Sequence, residues 1–426
     1  MKPNLDLKDI YDRFFLVILS VDVVLRMLWL DRPYGSMKFT DGVTRETSSL
    51  IFDEWYYVNV ARIILGLPQS VGGNGLPPYV NATPGLDPNH EHPPLAKLLI
   101  ALSMYFLGDS SGYAWRLPSV IFGSLAILVF YLLMKRITNH RMVPLVATFL
   151  LSFDNLVFVH SRIATLDIFG LSFMLLGCYW YFSGRNYLSA IAMALSTLAK
   201  ITGAAGFFAI AVIHAAKFAA SQPKPRPWDQ FFSWFEKYIG VFAATFLILL
   251  AVFDRLWVGY SNPFTHMQFI LNYSTALTSS CPNGIISCPW QWLINQVQIP
   301  YLTVSVSSGS TRYDSIAFLG AINPAILYLT IPVMAYSAYQ YFKRKEDLTL
   351  FAFVWFAVTY LSYYPLVIVG HRVTYLFYFL STIPALCGGI AYMIADQNPP
   401  KLVVIFYLAV VAVSFYLMFP FKIVPS

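Results

Sequence analysis

The densest chemistry in this sequence lies between Ile51 and Lys97, from IFDEWYYVNVARIILG through a Pro/Gly/Asn-rich middle to NHEHPPLAK. Asp53 and Glu54 are adjacent carboxylates, and His90, Glu91 and His92 form a second polar cluster before the rigid pair Pro93-Pro94. Asp53 and Glu54 open an expected helix in which Tyr56, Val60, Ile63 and Leu67 share a face, as in a helix lying in the lipid interface. Neighbouring side chains on a helix project about 100° apart. Two such acids cannot flank one sugar from opposite faces, as a glycosidase pair does. One base with an orienting or metal-binding partner is the chemistry this spacing supports, and a divalent metal at Asp53 and Glu54 stays open. Capping is the competing role, because acids at a helix N-terminus complement its dipole.

Basic residues stand at the ends of apolar runs: Arg116 in WRLPS, Arg162 in HSRIATLD, Lys200 in LAKITG, and His371 with Arg372 in VGHRVTY. Gathered at the level of Asp53, such cations suit a lipid phosphate at the membrane surface. Each alone also fits snorkelling at a helix end. Asp22 and Arg26 are four residues apart, which predicts an internal ion pair. Asp167 is expected to pair with Arg162. Cys281 and Cys288 share SSCPNGIISCPWQWL and are expected to form a disulfide in an oxidising exterior. Cys178 and Cys387 read as packing residues, and no Cys/His metal spacing occurs.

The elements that position these groups are apolar. Of 426 residues, 58% are hydrophobic and 12% charged, against roughly 25% charge in soluble domains. The fold class expected is all-α and polytopic, with about eleven membrane spans of roughly 20 apolar residues each. The candidate spans are 14–30, 117–134, 143–160, 166–183, 187–200, 201–218, 238–258, 322–342, 349–369, 373–393 and 401–420. The apolar segment 95–108 reads as a re-entrant or interfacial helix. The first apolar run lacks a cleavage site and reads as a retained span. Lys and Arg concentrate in the short connectors on the side of the N-terminus, which places that end inside, the C-terminus outside, and the long loops 31–116 and 259–321 outside. The net charge of +7 is dispersed through these connectors, so no nucleic-acid partner is expected. Membrane lipids are.

FDEWYY, HPPLAKLL, YAWRLPSVIFGSL and HSRIATLDIFGLSF, in this order, resemble the protein O-mannosyltransferases (dolichyl-phosphate-mannose–protein mannosyltransferases). The sequence is more distantly similar to the lipid A aminoarabinose transferases. The resemblance is strongest over residues 50–205 and weaker over SCPWQWL and HRVTYLFYFLSTIPAL. It implies a GT-C membrane glycosyltransferase fold with its active site on the extracytoplasmic face. The implied donor is a polyprenyl (dolichyl) phosphate carrying mannose or another hexose, and the acceptor a protein Ser/Thr hydroxyl. The family's acidic pair maps onto Asp53-Glu54, its His-Pro-Pro-Leu onto His92–Leu95, and its loop arginine onto Arg116. Eukaryotic members carry a β-trefoil-type domain in an outer loop, and 259–321 is too short for one, which implies an archaeal or bacterial type.

On this footing residues 1–321 form the catalytic membrane core, and the helices of 322–426 complete the donor site. Asp53 is expected to act as the base, with Glu54 orienting it or contacting the acceptor. His92, Arg116, Arg162, Lys200, His371 and Arg372 are the expected donor-binding set, in a scheme that inverts the anomeric carbon. A lipid or glycan acceptor is the nearest alternative. A transporter is the alternative from another class, but transporters place polar groups on broken helices near the midplane, often in inverted repeats. Here the polar groups gather at one face. The sequence leaves the sugar and the oligomeric state open.

Overall fold

The computed structural model describes residues 5–33, 38–40, 44–46, 50–72, 75–221, 226–308 and 311–420. Helix α1 (Ile10–Met27) leads to the first loop, which holds α2 (Glu54–Ile64) and α3 (Leu95–Leu107). The long α4 (Gly112–Ile137) follows, then α5 (Val143–Ser152) and α6 (Asn155–His160). Next come α7 (Asp167–Phe182), α8 (Asn186–Ala199), α9 (Ala204–Ser221) and α10 (Trp228–Phe253). The second loop carries α11 (Pro263–Ala276) and the single turn α12 (Pro289–Trp292). The C-terminal part comprises α13 (Pro324–Leu327), α14 (Thr330–Arg344), α15 (Asp347–Phe356), α16 (Tyr363–Ile368), α17 (Ile383–Gln397) and α18 (Lys401–Met418).

The core forms where α7 packs against α4 and α8, and where α17 packs against α5. Small residues set these distances. A Cβ on Gly177 of α7 would stand 2.7 Å from Met193 Cε and 3.1 Å from the Ser189 carbonyl oxygen on α8, so a larger residue would require the Met193 side chain to move and α8 to give by a few tenths of an ångström. Buried ion pairs lie among the helices. Asp12 on α1 accepts from Lys135 on α4 at 2.7 and 2.8 Å, and both are buried. The expected Asp22–Arg26 ion pair is present and buried.

Helices occupy every expected span, but they differ in length. Among the described residues, six helical segments are long and apolar enough to cross a bilayer: Gly112–Ile137, Ile201–Ala220, Trp228–Val258, Asp347–Ile368, Leu376–Gln397 and Lys401–Met418. The helix in the expected span 187–200 has 14 residues, so it rises only ~21 Å, short of a hydrocarbon core of about 30 Å. The expected span 143–160 is two helices. The chain leaves the helix at Phe153, and the Asp154 carboxylate restarts it by accepting from the Val157 amide at 3.0 Å.

The all-α expectation is corrected by a sheet. Strands β1 (Lys38–Thr40), β2 (Thr44–Glu46), β3 (Ile299–Ser308) and β4 (Thr311–Gly320) form an antiparallel sheet in the order β2-β1-β3-β4. The hairpin β3–β4 lies in the second loop, where Thr303, Val304, Ser305 and Val306 alternate small polar and β-branched residues. That pattern is a strand signal. The hairpin is anchored below, where Asn155 Nδ2 donates to the Leu319 carbonyl at 2.6 Å and to that of Ala321 at 3.1 Å.

Candidate active site

The approach to α2 decides where the two acids point. Phe52 adopts a left-handed backbone conformation, φ 51°, which costs a bulky residue on the order of 1–3 kcal/mol. Its ring is held by stacking on Tyr301, centroids 4.4 Å apart, and by the edge of Phe377 at 5.9 Å. Asp53 follows at the N-cap, and its side chain makes no capping bond. Glu54 is fully buried. Arg116 grips it with both arms, Nε to Oε1 and Nη2 to Oε2, each at 2.8 Å. The same carboxylate accepts from the Ile51 amide at 2.8 Å and the Ala164 amide at 2.9 Å. Arg116 Nη1 reaches the carbonyls of Leu30 at 3.0 Å and Arg32 at 2.7 Å. One ion pair thus ties α2, α4, the end of α1 and the α6–α7 turn together.

Asp53 instead lines a cavity of about 660 Å³. Lys200, Arg372, His92, Glu91 and Asn89 share its wall with Tyr57, Tyr363, Tyr375, Phe377 and Tyr378. Lys200 ends α8 in an extended conformation. Its ammonium bonds Asp167 Oδ1 at 2.5 Å and lies over the rings of Phe377 at 4.9 Å and Tyr378 at 5.3 Å. Arg372 is half-buried, and its Nη1 donates to the Leu277 carbonyl at 3.2 Å. The segment bearing it is laced to the second loop. Val373 N donates to Leu277 O at 3.0 Å, Ser287 N to Thr374 O at 2.9 Å, and Thr374 Oγ1 to Ser287 O at 2.6 Å. The expected Cys281–Cys288 disulfide is formed, with Cα atoms 5.6 Å apart, and it closes this partner loop.

Four sequence expectations change. Glu54 and Arg116 do not line the cavity, because each neutralises the other in the core. Arg162 is buried, lies outside the cavity wall, and donates to the carbonyls of Leu25 on α1 and of Leu28 just beyond it. Asp167 pairs with Lys200, not with Arg162. His371 is exposed and lies outside the cavity wall, contributing its carbonyl to the Ser279 amide at 3.1 Å. Both oxygens of the Glu54 carboxylate are engaged, by Arg116 and by two backbone amides.

Lys97 was missed as a site residue. It sits on α3, fully buried, and its ammonium pairs with Asp87 Oδ2 at 2.6 Å. It also donates to the carbonyls of Asn89 at 2.5 Å and His92 at 2.9 Å. A lysine inside an apolar helix is costly unless it has such partners, and that cost was the available signal. His266 adds a second tie. It is buried against Asp254 at 2.6 Å and meets the His90 carbonyl at 2.9 Å. The loop 87–92 is therefore held from two sides. Burial, with the charges of Lys97, Lys200 and Arg372, holds the His92 imidazole well below the ordinary histidine range, hence neutral. Burial pushes the Glu91 carboxyl above the ordinary glutamate range.

The two acids should separate experimentally. Glu54→Gln leaves Arg116 buried without its counter-charge, a loss of about 3–5 kcal/mol. It is expected to lower the thermal unfolding midpoint in detergent markedly, whereas Asp53→Asn leaves it near wild type. Equal midpoints for Glu54→Gln and wild type would contradict the scaffold role.

Residues 91–257 match the family model described as dolichyl-phosphate-mannose-protein mannosyltransferase. A polyprenol-phosphate-mannose–protein mannosyltransferase of Corynebacterium glutamicum is 23% identical over 421 residues, covering 82% of this chain and 78% of the relative. The protein of the same description from Mycolicibacterium smegmatis is 22% identical, covering 89% and 85%. Among solved structures, the Saccharomyces cerevisiae protein O-mannosyltransferase Pmt1-Pmt2 complex bound to the sugar donor superposes with TM-score 0.70 at 10% identity, covering 98% of this chain and 90% of that one. ArnT from Cupriavidus metallidurans bound to undecaprenyl phosphate gives TM-score 0.54 at 15% identity, covering 95% and 70%. The chain therefore shares the fold of these two structures. The chain is thus similar over residues 91–257 to the family model of dolichyl-phosphate-mannose-protein mannosyltransferases, and along most of its length to polyprenol-phosphate-mannose–protein mannosyltransferases.

Proposed function

We propose that Asp53 is the base of a mannosyl transfer from a polyprenyl phosphate to a Ser or Thr hydroxyl of a protein, with Lys200 and Arg372 receiving the donor phosphate. The protein is a glycosyltransferase, and its curated relatives are named for mannose transfer from polyprenol phosphate to protein. One observation carries the assignment: the Asp53 carboxylate and two basic side chains, Lys200 and Arg372, line the same cavity of about 660 Å³.

A Ser or Thr hydroxyl is a weak nucleophile near neutral pH, so a positioned base assists it. The acceptor oxygen attacks the anomeric carbon and gives its proton to Asp53. The bond from that carbon to the phosphate oxygen breaks, and the phosphate leaves as an anion. Such a leaving group needs cations rather than an acid, which Lys200 and Arg372 supply. The single displacement inverts the anomeric carbon. His92, being neutral, serves as a hydrogen-bonding group beside the sugar. The Lys200 ammonium lies over the rings of Phe377 and Tyr378, which line the same cavity.

Two finer readings accompany this one. The site is assigned to the extracytoplasmic face, because Lys135, Arg136, Lys343, Arg344 and Lys345 cluster at the far ends of α4 and α14, as the positive-inside rule expects. Helix α3 is assigned as a dipping helix. Its 13 residues rise ~20 Å, and it packs beside α2, α4 and α8 with Lys97 holding the site loop.

The assay is transfer from a radiolabelled mannosyl polyprenyl phosphate to Ser/Thr peptides by purified protein. Asp53→Asn is expected to lower kcat by about 10²–10⁴ while donor affinity stays within a few-fold of wild type. Near-normal turnover would remove Asp53 as the base. Arg372→Ala is expected to weaken donor binding by roughly 10–100-fold, the loss of one hydrogen-bonded charge on phosphate. Unchanged donor affinity would remove Arg372 from the phosphate site.

A further inference from the structure

Two carboxylates line the cavity, Asp53 and Glu91, and the mechanism above uses only the first. Glu91 is placed with care. Asn89 Nδ2 donates to Glu91 Oε1 at 2.7 Å. Asn89 is itself buried, with its amide on Asp87 Oδ1 at 2.8 Å and its carbonyl on Lys97 at 2.5 Å. The carboxylate is thus aimed by a loop whose own position is fixed by a buried ammonium. No other side chain hydrogen-bonds it and no cation pairs with it among the described residues. Beside it, the His92 ring presents a buried Nδ1 without a hydrogen-bond partner among the described residues.

An ionised carboxylate only accepts hydrogen bonds. Held half-buried on a cavity wall, it needs a donor from whatever fills that cavity. The donor phosphate cannot serve, because it carries the same sign and belongs with Lys200 and Arg372. Tyr273 lies within electrostatic range of both Glu91 and Arg372, so the acidic and basic parts of the wall are close enough for one small ligand to touch both. The portion of a sugar phosphate next to the phosphate is a ring of neutral hydroxyl donors. We infer that Glu91 reads a hydroxyl of the transferred sugar and is a specificity-determining residue for the donor, with His92 at the neighbouring hydroxyl. This rests on the functional reading above.

The test compares mannosyl polyprenyl phosphate with its monodeoxy analogues, lacking in turn the 2-, 3-, 4- or 6-hydroxyl. Each is measured with wild type, Glu91→Gln and Glu91→Ala for kcat/KM and for donor binding. The expected result is one deoxy donor that wild type uses roughly 10–100-fold less well than the parent, the loss of a hydroxyl to a charged acceptor. Glu91→Ala is expected to erase that difference and Glu91→Gln to keep part of it. Uniform slowing of all donors by both variants, undiminished selectivity in Glu91→Ala, or a change confined to the acceptor KM would each overturn the inference. Failure of wild type to bind or turn over the unmodified mannosyl donor would overturn the functional reading, and this inference with it. Selectivity that survives in Glu91→Ala with normal mannose transfer overturns the inference alone.

Discussion

The site depends on one buried ion pair. Glu54 and Arg116 meet in bidentate geometry with no solvent access, and their remaining bonding capacity is taken by backbone groups from three other parts of the chain. A pair of this kind is weak evidence for net stability, since desolvation offsets much of the attraction. Its effect is geometric. With Glu54 fixed in the core, the helix rotation places the preceding carboxylate on another side, and Phe52 absorbs the sharp change of direction in a left-handed conformation. Asp53 is left facing the cavity because its neighbour cannot turn.

The same division of labour repeats around the cavity. Lys97 and His266 hold the loop that presents Glu91 and His92, yet neither touches the cavity. The disulfide-closed loop and its ladder to Thr374 hold Arg372. Lys200 is braced by Asp167 and two aromatic rings. The groups on the cavity wall are thus held by neighbours whose charge or hydrogen bonds are satisfied within the protein. A preorganised site of this sort needs little rearrangement as charge develops on the leaving phosphate.

Much of this was legible in the sequence, and the gaps have physical causes. Hydrophobic runs located the helices because a bilayer demands continuous apolar length. They did not show that Asp154 divides one run into two helices, because a capping carboxylate looks like any other acid until its amide partner is known. The alternation at Thr303–Val306 was a visible strand signal, overridden by the expectation that a membrane chain is all helix. Asp53, Lys200 and Arg372, singled out by residue type and position, line one cavity. Arg116 and Arg162, singled out for the same reason, are buried against a carboxylate and backbone carbonyls, since a basic residue at a helix end reads alike whether it faces a ligand or a carbonyl. Burial separates the two cases, and burial depends on tertiary packing. Lys97 carried a signal in its cost, but its partners Asp87, Asn89 and His92 become neighbours only when the Pro93-Pro94 turn brings the loop back over α3.

The central claim is that Asp53 and the cations Lys200 and Arg372 face the two sides of one reacting sugar, while Glu54 and Arg116 stay in the scaffold. The most direct measurement is a structure of the protein with a non-transferable mannosyl phosphonate lipid bound. The account predicts phosphonate oxygens within hydrogen-bond distance of Lys200 and Arg372, the anomeric carbon turned toward Asp53, and an undisturbed Glu54–Arg116 pair. A phosphonate resting on Arg116 or Arg162, or an Asp53 carboxylate on the same side of the sugar as the phosphonate, would contradict it.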